Sequence, residues 1–188
     1  MCLLNGVRVL GTQLPVSPTV ACVQVPYASQ YGTTTRTNSR VIDFIIDHMG
    51  NRRAANPEYV FDTQNMALSQ SLNSGLLVTP YFDYNVTLAQ LYMGARGSGA
   101  FPHFHEATYN TLVFGVKHWV LFPPEAAFFQ LKHARTWFEE DYPVLREAGT
   151  AMYECMQHSG EIMFIPHLWG HAVVNVRDSI GAAFSIDV

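Results

Sequence analysis

The stretch that decides the fold is residues 97–115, which read GSGAFPHFHEATYNTLVFG. Its centre is His103-Phe104-His105, two imidazoles separated by one residue. Successive side chains of a β-strand point to opposite faces, so residues at i and i+2 share a face. If this segment is a strand, both rings can reach one metal ion. Taken alone, such a pair is more often two unconnected histidines than a metal site.

A second stretch, residues 160–175, reads GEIMFIPHLWGHAVVN and adds a third histidine. Pro166 ends one predicted strand, a short turn follows, and His171 opens the next strand. Two histidines on one strand and a third on a facing strand suit an open-sided metal site, which leaves positions for substrate, oxygen or water. Together the two stretches predict that His103, His105 and His171 bind one metal ion.

Short strands dominate the rest of the chain. Alternating or apolar runs between Gly and Pro residues predict strands at 7–14, 20–27, 59–61, 76–79, 87–93, 110–114, 118–122, 152–157, 162–165 and 171–176, and residues 179–186 close the chain. Helical patterns cover 40–49, 125–131 and 136–147, and loops are expected at 31–38 and 51–57. Many short strands with a late returning strand predict a mainly β jelly roll with a few flanking helices.

The composition is that of a globular protein, with 48% hydrophobic, 14% charged and 13% aromatic residues among 188. Eleven basic and fifteen acidic residues give a net charge of −4, and they form no basic cluster that would indicate nucleic-acid binding. No apolar run approaches the ~18 residues of a membrane span, so we expect no integral membrane protein. Cys2, Cys22 and Cys155 are too few and too widely spaced to predict a disulfide framework or a cysteine metal site, so we expect buried, unpaired thiols.

The two histidine stretches resemble the two cupin motifs. Residues 97–105 fit Gly-x5-His-x-His. Gly160, Pro166, His171 and Asn175 fit Gly-x5-Pro-x4-His-x3-Asn, although Leu168 stands where the motif usually has Gly.

More narrowly, the sequence resembles the JmjC (jumonji-C) family of iron(II)/2-oxoglutarate oxygenases from residue 91 to the C-terminus, about half the chain. Besides the histidines, the similar segments are residues 98–99, 110–112, 115–119, 121–124 and 164–171. The resemblance implies a double-stranded β-helix in a single domain over 1–188. We expect leader strands and a helix at 1–85 and a metal-binding core at 86–188.

The resemblance also implies roles for single residues. His103 and His171 would bind Fe(II), Lys117 would pair with the distal carboxylate of 2-oxoglutarate, and Asn110 would hydrogen-bond the same cosubstrate. A long cation pointing into a barrel suits a carboxylate. The simpler alternative for Lys117, which follows a Gly turn, is a solvated strand residue, and Asn110 has an equally plain alternative.

Two departures from the family pattern bear on activity. Most catalytic members have Asp or Glu at the position of His105, which completes a 2-His-1-carboxylate site, and many have Thr at the position of Ala100. A neutral imidazole leaves the metal one charge unit more positive, which raises the reduction potential of iron and favours Zn or Cu. Glu106 faces away in a regular strand, and only a bulge would bring it to the metal.

The leading hypothesis is therefore a JmjC-like Fe(II)/2-oxoglutarate-dependent oxygenase of the protein hydroxylase type, acting on a protein side chain. The first alternative is a catalytically silent metal-binding module that acts through a protein partner. The second is a three-histidine zinc site that activates water. A JmjC subgroup that also reads His-x-His implies the lumen of the endoplasmic reticulum, whereas the absence of a leader pattern in residues 1–10 leaves the cytoplasm as the alternative.

Overall fold

The computed structural model describes residues 24–28, 37–49, 55–62 and 86–187. Within these ranges the chain forms eleven strands, and every pairing between them is antiparallel. The strands are β1 (Gln24–Ala28), β2 (Thr37–Arg40), β3 (Tyr59–Asp62), β4 (Val86–Gly94), β5 (Gly99–His103), β6 (Thr108–Phe114), β7 (Val116–Phe122), β8 (Tyr153–His158), β9 (Ile162–Ile165), β10 (Gly170–Asn175) and β11 (Ser179–Ile186). The predicted mainly β class is confirmed.

The strands form two sheets whose order is that of a jelly roll. The larger sheet runs β2-β1-β3-β4-β11-β6-β9, and the smaller runs β5-β10-β7-β8. The last strand, β11, lies between β4 and β6 in the middle of the larger sheet, and β10 lies between β5 and β7 in the smaller one. These late strands join elements that are distant in sequence, so the two halves of the metal motif become neighbours on one sheet.

Helices are few in the described part of the chain. The first, α1 (Val41–Phe44), continues as a π-helical turn over Ile45–Met49, where a helix was predicted. The second, α2 (Ala134–Glu147), covers the predicted 136–147. The helix predicted at 125–131 is wrong, because only Pro124–Ala126 forms a 3-10 turn. The chain then runs beside β5, where the Gln130 N–H donates to the Pro102 carbonyl at 3.1 Å.

The smaller sheet buries both of its faces because side chains alternate along β7. Trp119 packs inside the barrel with Val173 of β10. The next residue, Val120, faces outward and packs with Trp137 of α2. Alternation of this kind is the ordinary consequence of strand geometry. The interior side of β7 therefore faces the site, and α2 closes the outside.

Several sequence expectations lie outside the described residues or differ from the structure. The strands predicted at 7–14 and 76–79 lie outside the described ranges, and the division of the domain at residue 85 stays a prediction. The loop expected at 31–38 overlaps β2, which begins at Thr37. No helix in the described ranges is long and apolar enough to cross a membrane.

The expectation of unpaired cysteines is wrong for Cys155. This residue of β8 is disulfide-bonded. Sequence spacing could not reveal the pairing, since a disulfide requires only that two Cα atoms come close in the fold.

Candidate metal centre

The structure brings the three predicted histidines together from three different backbone settings. His103 is the last residue of β5, and His171, the second residue of β10, is its register partner on the neighbouring strand. The sequence predicted that His103 and His105 share one face of a strand. This detail is wrong, because β5 ends at His103 and His105 lies in the loop that follows. The loop that carries His105 is fastened to the β9–β10 turn by the Leu168 N–H, which donates to the His105 carbonyl at 2.9 Å.

The spacing of the rings suits one shared ion. The ring centroids lie 4.2 Å apart for His103 and His171, 4.7 Å for His105 and His171, and 5.3 Å for His103 and His105. One ring nitrogen from each lies within 4.8 Å of the others. Metal–nitrogen bonds of about 2.0–2.1 Å place tetrahedral ligand nitrogens about 3.3 Å apart. Small side-chain adjustments are enough to close the three rings on an ion.

Each ring is held by a hydrogen bond to a backbone carbonyl through Nδ1. The carbonyls belong to Phe101 for His103, Glu106 for His105 and Trp169 for His171, at 2.7, 2.7 and 3.1 Å. Because a carbonyl only accepts, Nδ1 carries the proton in each ring and Nε2 keeps its lone pair. Outer hydrogen bonds of this kind fix the tautomer and orientation of metal-binding histidines. The three Nε2 atoms are therefore the atoms that can bind a metal ion.

Burial keeps the two strand histidines neutral. It lowers the pKa of His103 to about 4, and it lowers the pKa of His171 well below its usual range, with the neighbouring His103 adding to the effect. Both are therefore in the ligand form at neutral pH. Glu106 is exposed and outside the histidine cluster, which contains no carboxylate from the residues that the structure describes.

Lys117 of β7 lies inside the barrel in an aromatic cage, with none of its surface exposed. Its Nζ donates to the Tyr59 hydroxyl at 3.1 Å and lies 4.0 Å from the ring centroid of Tyr92 and 5.8 Å from that of Trp119. The alternative of a solvated strand residue is therefore wrong. Burial lowers the pKa of Lys117 to about 7.

No ion pair joins Lys117 to a carboxylate among the residues that the structure describes. A buried ammonium is costly unless it is paired with an opposite charge. The cage supplies cation–π contacts and one hydroxyl, which offset that cost only in part. The position is consequently suited to an anionic group delivered by a ligand.

Asn110 of β6 is buried on the same side of the barrel. Its Oδ1 lies 2.6 Å from the hydroxyl of Tyr92, the residue whose ring lies closest to the Lys117 ammonium. Tyr92 thus connects the two residues predicted to hold the cosubstrate. Burial, and then the neighbouring Tyr59, raise the pKa of Tyr92, so its hydroxyl keeps its proton. Neither tyrosine was predictable as a site residue, since nothing in the local sequence distinguishes Tyr59 or Tyr92 from an ordinary core aromatic residue.

Asn175, the last residue of the second motif, joins the two motifs. Its Nδ2 donates to the Ser98 Oγ at 3.0 Å and to the Gly94 carbonyl at 3.2 Å. The Asn175 N–H donates to the Ser98 carbonyl at 2.8 Å. These bonds attach the end of β10 to the loop that leads into β5. The spacing between His171 and Asn175 therefore reflects the alignment of the two histidine-bearing strands.

Comparison with known proteins assigns the family. The family described as "Cupin-like domain" matches residues 30–186. The chain is a cupin-like JmjC protein. It is 34% identical over 90 residues to human JmjC domain-containing protein 8, a match that covers 47% of this chain and 34% of the relative.

Two further relatives of this JmjC chain carry activities in their names. The bifunctional arginine demethylase and lysyl-hydroxylase psr-1 of Caenorhabditis briggsae is 30% identical over 159 residues, 69% of this chain and 40% of the relative. The 2-oxoglutarate and iron-dependent oxygenase JMJD4 of Danio rerio is 31% identical over 102 residues, 48% of this chain and 24% of the relative. The chain spans at most about two fifths of these relatives.

A solved structure supports the fold of the JmjC chain. The ribosomal oxygenase YcfD of Escherichia coli, in complex with cobalt and succinic acid, matches with a TM-score of 0.52 at 10% identity. The match covers 89% of this chain and 40% of YcfD. At that identity the likeness concerns the fold alone.

Proposed function

We propose that this JmjC protein is an Fe(II)/2-oxoglutarate-dependent oxygenase of the protein hydroxylase type, with His103, His105 and His171 as metal ligands. The observation that carries the proposal is that a converging cluster of three imidazoles lies in the same barrel as a buried lysine with no carboxylate partner among the described residues. When bound, iron and 2-oxoglutarate would supply the chemistry for hydroxylation of a C–H bond, in which dioxygen is the oxidant and 2-oxoglutarate is converted to succinate and carbon dioxide.

The spacing along β7 supports the cosubstrate assignment. Leu121 is the register partner of His171, and Asn175 is the register partner of Lys117. Lys117 lies four residue steps along β7 from Leu121, the register partner of His171, and at 3.3 Å per step the two positions are about 13 Å apart. A lysine side chain and a five-carbon dicarboxylate together span such a length.

The protein's own residues would bind and orient the cosubstrate. The Lys117 ammonium would pair with the distal carboxylate, and the arrival of that charge would raise the lysine pKa and keep the side chain protonated. Asn110, held by Tyr92, would hydrogen-bond the same ligand. The buried aromatic cage excludes water from this pair, which strengthens the electrostatic interaction.

The all-imidazole ligand set is the observation that favours the two alternatives. Without a carboxylate ligand the metal keeps its full double charge, and imidazole suits Zn and Cu as well as Fe. A zinc site that activates water, or a silent module stabilised by metal, would need no dicarboxylate. The buried lysine is what these alternatives leave unexplained.

Elemental analysis of protein purified without added metal, followed by an assay of 2-oxoglutarate consumption with Fe(II), tests the proposal. We expect iron-dependent consumption that disappears in the His103→Ala/His171→Ala double variant. Zinc at full occupancy with no consumption after exchange to Fe(II) would refute the oxygenase and support an alternative. The variant Phe114→Ala, an exposed position at the end of β6, is the control for nonspecific damage.

We also propose a protein substrate and an oxidising compartment. The name of psr-1 refers to an arginine demethylase and lysyl-hydroxylase activity, which supports a protein side chain as the target. The disulfide of Cys155 supports the endoplasmic reticulum lumen over the cytoplasm, because disulfides persist mainly in oxidising compartments. Glycosylation at Asn85, in the sequon Asn85-Val86-Thr87, would support the lumen. A tagged full-length protein that fluoresces in the cytosol would refute it.

A further inference from the structure

A cavity of about 1020 Å³ lies at the opposite end of β5 and β10 from the histidine cluster. The cluster occupies the end of β5 and the start of β10, whereas the cavity is lined by the loop before β5, the end of β10 and the turn after it. Helix α2 forms a further wall, and the charged residues of the lining are Arg96, Arg135, Glu139, Arg177 and Asp178. The cavity is therefore separate from the metal centre.

The three arginines are distant in sequence, and the fold brings them together at the loop before β5. The Arg96 N–H donates to the Asp178 Oδ1 at 2.9 Å, which fastens this loop to the turn that carries Arg177. Gly97 has a positive φ of 88°, and a Cβ at this position would lie 2.6 Å from both Nε and Nη2 of Arg135. The absence of a side chain at Gly97 thus leaves room for the Arg135 guanidinium. The three arginines therefore belong to this loop and to the two segments that contact it.

The lining carries more positive than negative charge, although the chain as a whole has a net charge of −4. Of its two carboxylates, that of Asp178 accepts a hydrogen bond from a backbone N–H. That of Glu139 lies 4.0 Å from Arg135 and is 68% exposed, so this ion pair neutralises little charge. Neither Arg96 nor Arg177 forms an ion pair with any residue that the structure describes. The charge of the cavity therefore suits an anion supplied by a ligand.

We infer that this cavity is a second ligand site, which binds the phosphate group of a small phosphorylated molecule. A guanidinium presents its donors in a planar fork that fits phosphate oxygens, and a phosphate dianion accepts hydrogen bonds from more than one such group. The volume is at the upper end of the usual range for ligand pockets, about 300–1,000 Å³, so a body of mononucleotide size fits beside the phosphate. Phe138 of α2 gives that body an apolar wall. The inference is independent of the proposed function, because none of the three histidines lines the cavity.

Calorimetric titration of metal-free protein with adenosine monophosphate, inorganic phosphate and adenosine tests the site. Removal of the metal prevents a phosphate from binding at the histidines. We expect adenosine monophosphate to bind with one equivalent, and inorganic phosphate to bind more weakly because it makes no contact with Phe138. Adenosine should bind at least about tenfold more weakly than its monophosphate, because it lacks the charge-assisted hydrogen bonds. Absence of binding of the monophosphate at millimolar concentration, or equal affinity for adenosine, would overturn the inference.

Substitution of the arginines locates the bound phosphate. Arg96 and Arg177 are exposed, so Arg96→Gln/Arg177→Gln should keep the wild-type melting temperature and lower the affinity for adenosine monophosphate about tenfold or more. Arg146→Gln is the matched control, since Arg146 is an arginine of α2 that is 68% exposed and does not line the cavity. This control and Lys117→Met should both bind as the wild type does. Unchanged affinity in the double variant would overturn the inference, and so would loss of binding in Lys117→Met, which would place the anion inside the barrel.

Discussion

The buried charge of Lys117 gives a prediction whose magnitude follows from the structure. Burial lowers its pKa from 10.5 to about 7. Since the folded-state pKa is below the unfolded one, the unfolded chain binds more protons between these values, and stability rises with pH there. Well below pH 7 Lys117 is protonated in both the folded and the unfolded state, and the folded protein bears the full free-energy cost of the buried charge. At 1.36 kcal/mol per unit, it amounts to about 5 kcal/mol.

Replacement of Lys117 by Met keeps the length and removes the charge. Between pH 7 and pH 9 the wild type should gain about 2 kcal/mol relative to Lys117→Met, from the integral of the proton difference. For a chain of this size that corresponds to roughly 4–8 °C in melting temperature. The range stops at pH 9 because the unfolded tyrosines begin to titrate near pH 10.

Thermal unfolding of both proteins at half-unit pH steps, without ligand, measures the difference. The Lys117→Met protein should be the more stable at pH 7, and the two curves should converge as pH rises. Parallel curves would refute the reasoning, because they would mean that Lys117 is paired or solvated in the folded state. Lys132, which is paired with Glu140 and Asp141 on the surface, provides a control. The variant Lys132→Met should show the same change of melting temperature with pH as the wild type.

Three further predictions concern the site itself. The double variant His103→Ala/His171→Ala should lose bound metal while its far-ultraviolet circular dichroism is retained, and unchanged metal content would contradict the assignment. His105→Asp gives a 2-His-1-carboxylate ligand set, so the metal preference in a competition experiment should shift from zinc toward iron, and uncoupled turnover of 2-oxoglutarate should rise. If instead the wild type turns over 2-oxoglutarate rapidly and this change slows it, the three-histidine site is the better catalyst. Tyr92→Phe leaves the Asn110 amide without its buried hydroxyl partner and should cost about 1–3 kcal/mol in urea unfolding, whereas a cost near zero would exclude that hydrogen bond as a support of the site.

The fold was predictable from the sequence wherever turn residues bracket a strand. Strand β9 has the predicted bounds, since Gly160 and Pro166 flank it. The helix prediction at 125–131 was wrong, because the apolar residues of this segment pack against the outer face of the smaller sheet without forming a helix. A segment held by tertiary contacts carries the same pattern as a short helix.

The site was predictable in its ligands and unpredictable in its surroundings. The spacing of the two motifs predicted that His103, His105 and His171 lie together, and the fold brings them together. Metal binding itself stays a prediction. The cage around Lys117 depends on β3 and β4 lying opposite β7 in the barrel. Tyr59 and Tyr92 come from those strands, and local sequence holds no information on which strands face each other.

Equilibrium dialysis of 2-oxoglutarate against anaerobic Fe(II)-loaded protein tests whether the metal centre and Lys117 bind this cosubstrate together. We expect one bound equivalent in the wild type. That binding should be lost without metal or in His103→Ala/His171→Ala, and it should be weakened by Lys117→Met. Failure of the loaded wild type to bind millimolar 2-oxoglutarate, or binding that persists unchanged without the metal or the lysine, would contradict it.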